Sequence, residues 1–211
     1  MMSCHLTHDE AVVDTVKREL SKYEIVHLAC HGIQDSINPL DSAFALNVGN
    51  LKLQDLMRLS LEKAELAVLF VCQTATGDEN LPEEAVHLAA GMLAVGYPSV
   101  VATMWSISDR DAPIVADKVY ENLLGHRDEL ETRNPSQSAA YEHLRKEVGT
   151  AYALHAAVKY LRSPWGHHDK LVTRNPRQSA AYALHAAVEH LRKEVGEMEF
   201  VKWIPFVHYG V

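Results

Sequence analysis

The chain has 211 residues, 47% of them hydrophobic and 23% charged, which is enough for one domain with a full core. Its 28 acidic residues outnumber 20 basic ones for a net charge of −8, which argues against a nucleic-acid surface, and no apolar run approaches the ~20 residues of a membrane span. Three cysteines do not make a disulfide framework, and no basic stretch with an apolar core behind it opens the sequence, so the expected compartment is the reducing cytosol.

In chain order, residues 9–23 carry Val12, Val13, Val16 and Leu20 at the spacing of one helical face, with Thr7 and Glu10 placed to form a capping box. A strand is expected over residues 25–29. A polar loop follows, then two short extended pieces at 43–46 and 51–53 around a Gly49-Asn50 turn, and a short helix at 54–59. Residues 66–71 are uniformly apolar, as in a strand buried on both faces of a parallel sheet. A helix over 80–96 begins at Asn80 and Glu83, buries Ala85, Leu88, Ala89, Met92 and Leu93, and stops at Gly96. Residues 99–104 are a third buried strand, and residues 111–124 a helix that tolerates Pro113 in its first turn. This alternation implies an α/β fold with parallel strands whose carboxyl ends share one edge.

The last third contains a duplication. Residues 151–162 (AYALHAAVKYLR) match residues 181–192 (AYALHAAVEHLR) at all but two positions, and residues 133–141 match 174–182 at all but one. Solenoid repeats diverge, so near-identity marks a recent duplication or a gene-model artefact. The second copy leads directly into residues 200–208, which read as a final strand with Pro205 at an edge or bulge. Residues 174–196 are therefore expected in the native helix position. Residues 126–172 are expected to be a helical insertion in a single domain whose core spans about 10–125 and 174–211.

The strand ends carry the chemistry. The strand at 66–71 delivers Cys72 and Gln73, the strand at 25–29 delivers His31 and Gly32, and the third delivers Trp105, all to one edge. A cysteine nucleophile needs an imidazole to manage protons and N–H groups aimed at an oxyanion. Cys72 and His31 meet the first two needs, and the N–H groups of Gly32 and Cys72 are candidates for the third. Gln73, Trp105 and Asp109 lie where a substrate would pass. His27 shares a face with His31 on a strand and reads as a core histidine, while Cys30 should point the other way and pack as a small hydrophobe. Cys4, His5 and His8 lack a second ligand pair at zinc spacing, so neither metal nor cofactor is expected.

The blocks His27-Leu28-Ala29-Cys30-His31-Gly32 and Val71-Cys72-Gln73-Thr74-Ala75-Thr76-Gly77, with residues 81–93, 98–105 and 203–207, resemble the CHAT domain. That resemblance implies a caspase-like, mostly parallel sheet flanked by helices. It also implies cysteine endopeptidase activity on protein or peptide substrates through a His31–Cys72 dyad, and tetratricopeptide repeats elsewhere in the full-length protein. The family has further strands before the histidine strand, so the resemblance implies either a chain truncated at its N-terminus or a sheet that has lost an edge. The alternative activity class is an inactive scaffolding module of the same fold that binds protein partners.

Overall fold

The computed structural model describes residues 3–35, 37–73, 84–124, 157–161 and 180–210, with the backbone alone described at residues 3, 72–73, 84–87, 124 and 157–161. The strands are β1 (Ser3–Thr7), β2 (Ile25–Ile33), β3 (Ala43–Ala45), β4 (Asn50–Lys52), β5 (Leu66–Gln73), β6 (Ser99–Thr103), β7 (Ala157–Leu161) and β8 (Phe206–Gly210). The helices are α1 (Val13–Leu20), α2 (Leu53–Leu56), α3 (Glu84–Val95), α4 (Ala112–Leu124), α5 (Ala180–Val195) and α6 (Phe200–Trp203). The strands form one sheet in the order β1-β7-β2-β5-β6-β8, with β3 joined to β2 and β4 to β3.

The centre of the sheet is parallel, as the uniformly apolar strands require. β2 pairs β5 from Ile25↔Leu66 to Gly32↔Gln73, and β5 pairs β6 from Leu66↔Ser99 to Leu69↔Ala102. Residues 66–71 are all buried. Alternation splits them between two cores. Val26, Leu28, Cys30, Ala67, Leu69 and Val71 join α1, α2 and α3 on one face. Ile25, Leu66, Val68, Phe70 and Val101 join α4 and α5 on the other. The sheet is thus the middle of three layers.

Most expected elements are present. Gly49 turns the β3–β4 hairpin at a φ of 89°, and Gly96 closes α3 at a φ of 121°, the left-handed conformation in which a side chain would be strained. Asn80 and Glu83, expected to cap α3, lie outside the described residues.

Several expectations are corrected. The helix expected over 9–23 is confined to Val13–Leu20. Thr7 precedes a short 3-10 turn at His8–Glu10 without a side-chain cap, because residues 3–7 are drawn into β1. The strand expected over 200–208 is divided: Phe200–Trp203 is the helical turn α6, and the strand begins only after Pro205, whose missing N–H suits a strand entrance. The carbonyl of Pro205 still accepts a hydrogen bond from the Met104 N–H at 2.8 Å. Within the span expected to be a helical insertion, the described residues Ala157–Leu161 are the strand β7, antiparallel to both β1 and β2. Alternating β-favouring Val158 and Tyr160 fit a strand filling the gap between β1 and β2.

β8 closes the other side of the sheet, antiparallel to β6. Its His208 Nε2 lies 2.8 Å from the buried Ser99 Oγ, and desolvation lowers the imidazole pKa from its ordinary value of 6.5. The folded state therefore favours the neutral ring. Below pH 6.5 the unfolded chain takes up this proton first, so the contribution is intact above that pH and drains as pH falls through the lowered folded value. His208→Gln should flatten the dependence of unfolding free energy on pH below 6.5 in urea titrations, and an unchanged slope would refute this role for the ring.

Candidate functional site

β2 and β5 run parallel and end at the same edge, and their register pairs His31 with Cys72 and Gly32 with Gln73. Neighbouring strands lie about 4.8 Å apart, so the two backbone positions are lateral neighbours despite their separation in sequence. β2 continues beyond its expected end at residue 29. On the side away from β5, its first half is flanked by β7 (Ile25↔Leu161 to Ala29↔Ala157) and its last residues by β3 (His31↔Ala45 to Ile33↔Ala43). His31 is therefore held by a strand on each side. Its side chain is half-buried, and alternation from His27 puts it on the face that carries α4 and α5.

His27 is a core residue. It is 3% exposed, its Nδ1 is hydrogen-bonded to the Tyr120 hydroxyl at 2.9 Å, and its ring meets Phe70 edge-on at 5.2 Å between centroids. Burial pushes the Tyr120 phenol pKa upward, so the hydroxyl stays protonated. Four residues along a strand span about 13 Å, too far for the His27 imidazole to orient that of His31. Cys30 is 7% exposed in the core of the opposite face, as its alternation predicts.

Gly32 has a packing role that sequence reasoning missed. A Cβ there would stand 2.8 Å from Val71 Cγ1 and 3.0 Å from Leu88 Cδ1. Glycine at this position lets α3 lie close against β2 and β5. The only signal in the sequence was the pairing of Gly32 with an apolar helix face at Leu88, and no spacing rule links two such distant positions.

The candidate substrate contacts differ in setting. The backbone of Gln73 ends β5 beside Gly32. Trp105 follows β6, and its Nε1–H donates to the Val201 carbonyl of α6 at 3.2 Å, tying this end of the sheet to the C-terminal segment. Asp109 and Arg110 are exposed in the turn before α4, while Asp111 is buried at 3% exposure. Thr103, also at this edge, was not singled out by the sequence. It is 2% exposed, and its Oγ1 has no hydrogen-bond partner among the described residues.

Cys4 lies on β1, half-buried, with its thiol pKa raised first by desolvation and then by Glu19, so it is a poor source of thiolate. Among the described residues no group of three His, Cys, Asp or Glu side chains could hold a metal ion, and no helix is long and apolar enough to cross a membrane.

A mixed α/β sheet between helical layers, with a histidine strand and a cysteine strand side by side at one edge, defines a caspase-like protein. The CHAT domain family model matches residues 4–164, more than half of the chain, and the chain belongs to that family. The match includes the first copy of the duplicated segment and stops before the second. No curated protein matches the chain closely.

Two substitutions test this description. Gly32→Ala should destabilise the fold by about 1–3 kcal/mol, through the clash with Val71 and Leu88, even when measured without any substrate. Tyr120→Phe should cost about 1–3 kcal/mol by removing the partner of the buried His27 Nδ1. Urea midpoints equal to the parent's in either variant would contradict the corresponding contact.

Proposed function

We propose that this chain is a cysteine endopeptidase of the caspase-like type, acting on extended protein or peptide substrates with a His31–Cys72 dyad. The observation that carries the reading is the parallel β2–β5 register, in which residues 31 and 72 are partners at the carboxyl edge. The Cys72 thiolate attacks the scissile carbonyl carbon and forms a C–S bond. The oxyanion is held by the N–H groups of Gly32 and Cys72, in a site whose donors cost no reorganisation during the reaction. The His31 imidazolium gives its proton to the departing amine as the C–N bond breaks. Water, deprotonated by the neutral imidazole, then hydrolyses the thioester and restores the thiol–imidazole pair.

Gln73 and Trp105 border the path of the substrate backbone, and Asp109 offers a carboxylate to a basic side chain in the exposed turn after β6. No metal or cofactor takes part in this scheme. The net charge of −8 fits a protein or peptide partner better than a nucleic acid. A cytosolic setting away from membranes, with tetratricopeptide repeats attached in the full-length protein, completes the reading.

A second reading is a non-catalytic module of the same fold that binds protein partners. The close packing of Val71 and Leu88 around Gly32 favours it, because that packing accounts for the glycine without any substrate.

Cys72→Ala and His31→Ala should each lower peptide cleavage by about 10³-fold or more while leaving the unfolding transition in place. A panel of electrophilic peptide probes should label Cys72 and neither Cys4 nor Cys30. Cleavage that persists in Cys72→Ala would sink the peptidase reading. A folded parent protein that no probe labels at Cys72 would favour the non-catalytic module.

A further inference from the structure

Exposed apolar side chains are concentrated at one place on this protein. Among the described residues nine large ones are exposed, and four of them, Met198, Phe200, Val201 and Ile204, fall within residues 198–204. Single exposed apolar residues are ordinary, whereas a contiguous cluster marks a surface that meets something. α6 makes the cluster contiguous. The Ile204 N–H donates to the Phe200 carbonyl at 3.0 Å, so Phe200 and Ile204 share one face of the turn, with Val201 beside them. Trp203 anchors this turn to the core of the α4 and α5 face, and its ring packs against the Phe200 ring at 5.5 Å between centroids.

Charge and position narrow what this surface meets. The ionic side chains of residues 197–204 are all paired, Glu197 with Arg192 at 3.1 Å and Glu199 with Lys202 at 2.9 Å. These charges cancel, so the surface favours an apolar group over an ionic one. β8 begins at Phe206, opposite Thr103, and the Met104 N–H bonds the Pro205 carbonyl, so α6 stands at the carboxyl end of β6. Trp105 joins it there through the Val201 carbonyl, which makes the surface continuous with the path assigned to the substrate. The strand order β2-β5-β6-β8 puts α6 two strands from position 72. At about 4.8 Å per strand the gap is roughly 10 Å, or about three residues of extended peptide.

We propose that Phe200, Val201 and Ile204, with Met198 at the margin, are a substrate-recognition surface that takes one apolar side chain of the peptide about three or four residues from the scissile bond. The inference rests on the cysteine-endopeptidase reading and names the class of substrate that site selects. A peptide held at position 72 crosses the tip of β6 beside Trp105 and lays its next apolar side chain on α6. The surface is already fixed by Trp203 and by the Trp105 hydrogen bond, so little ordering opposes the contact.

Casein digested by the full chain, with the cut bonds located by mass spectrometry, tests the placement. Leu, Ile, Val, Phe and Met should be enriched about three or four residues from the cut bond, on one side of it. Short peptides copied from one cut site should lose about tenfold in kcat/KM when that residue becomes Ser. Val201 is 72% exposed, so Val201→Lys should keep its Tm within about 2 °C of the parent's. It should also abolish the apolar preference and favour Glu at the same peptide position. Cleavage indifferent to that residue in the parent, or an apolar preference that survives Val201→Lys, would overturn the proposal and leave the peptidase reading standing. Casein left uncut would overturn the peptidase reading and this inference with it. A parent dimer that Val201→Lys splits, seen by light scattering, would also overturn the proposal, because the surface would then belong to a second copy.

Discussion

The lateral pairing of β2 with β5 is the constraint on which the rest of this protein depends. A parallel pair cannot be closed by a tight turn, so the chain must cross over between the two strands. That crossover puts the carboxyl ends of both strands on one edge, and the register from Ile25↔Leu66 to Gly32↔Gln73 brings positions 31 and 72 together. A slip of one residue would transfer every side chain of one strand to the wrong core, because Val26, Leu28 and Cys30 belong with α1–α3 while Ile25 and His27 face α4 and α5. The hydrophobic sorting that builds the core therefore also sets the alignment of the candidate dyad.

Gly32 links that alignment to the helical layer. It lies one residue beyond His31, and its bare Cα accommodates Val71 and Leu88 where any larger residue would collide. The position therefore serves the packing of α3 against the sheet, whatever its N–H does. His27 plays a complementary part on the other face, where its contacts with Tyr120 and Phe70 bind β2 to α4 and to β5. The histidine strand is thus fastened from both sides, which is the preorganisation a site at its end requires.

The C-terminal part completes the fold by context more than by local preference. α5 and β7 share a pattern and differ in structure, and the reason lies in what each segment meets. A helix that buries Ala183, Leu184, Ala187 and Leu191 finds an apolar stripe on α4. A strand at Ala157–Leu161 finds two strands with hydrogen-bonding groups to satisfy. Trp105 and α6 tie this region back to the carboxyl edge of the sheet through the Val201 carbonyl.

Much of the fold was legible in the sequence because its central signals are local. An uninterrupted apolar run at 66–71, a glycine stop at Gly96 and the alternation of strands with helices each follow from near neighbours, and together they imply parallel strands with His31 and Cys72 at one edge. The family resemblance in those same blocks was equally legible, and the family match over residues 4–164 agrees with it. What remained hidden depended on partners distant in the chain. β1 is too short to be recognised without β7 beside it. The helix-like residues 157–161 become a strand only because the gap between β1 and β2 receives them. Phe200–Trp203 turns helical before Pro205 lets β8 begin. Residue type and periodicity determined which strands are buried and what chemistry their ends carry. Tertiary structure alone decided which strands are neighbours, because that choice is made by hydrogen-bonding groups and packing surfaces that no local stretch of sequence contains.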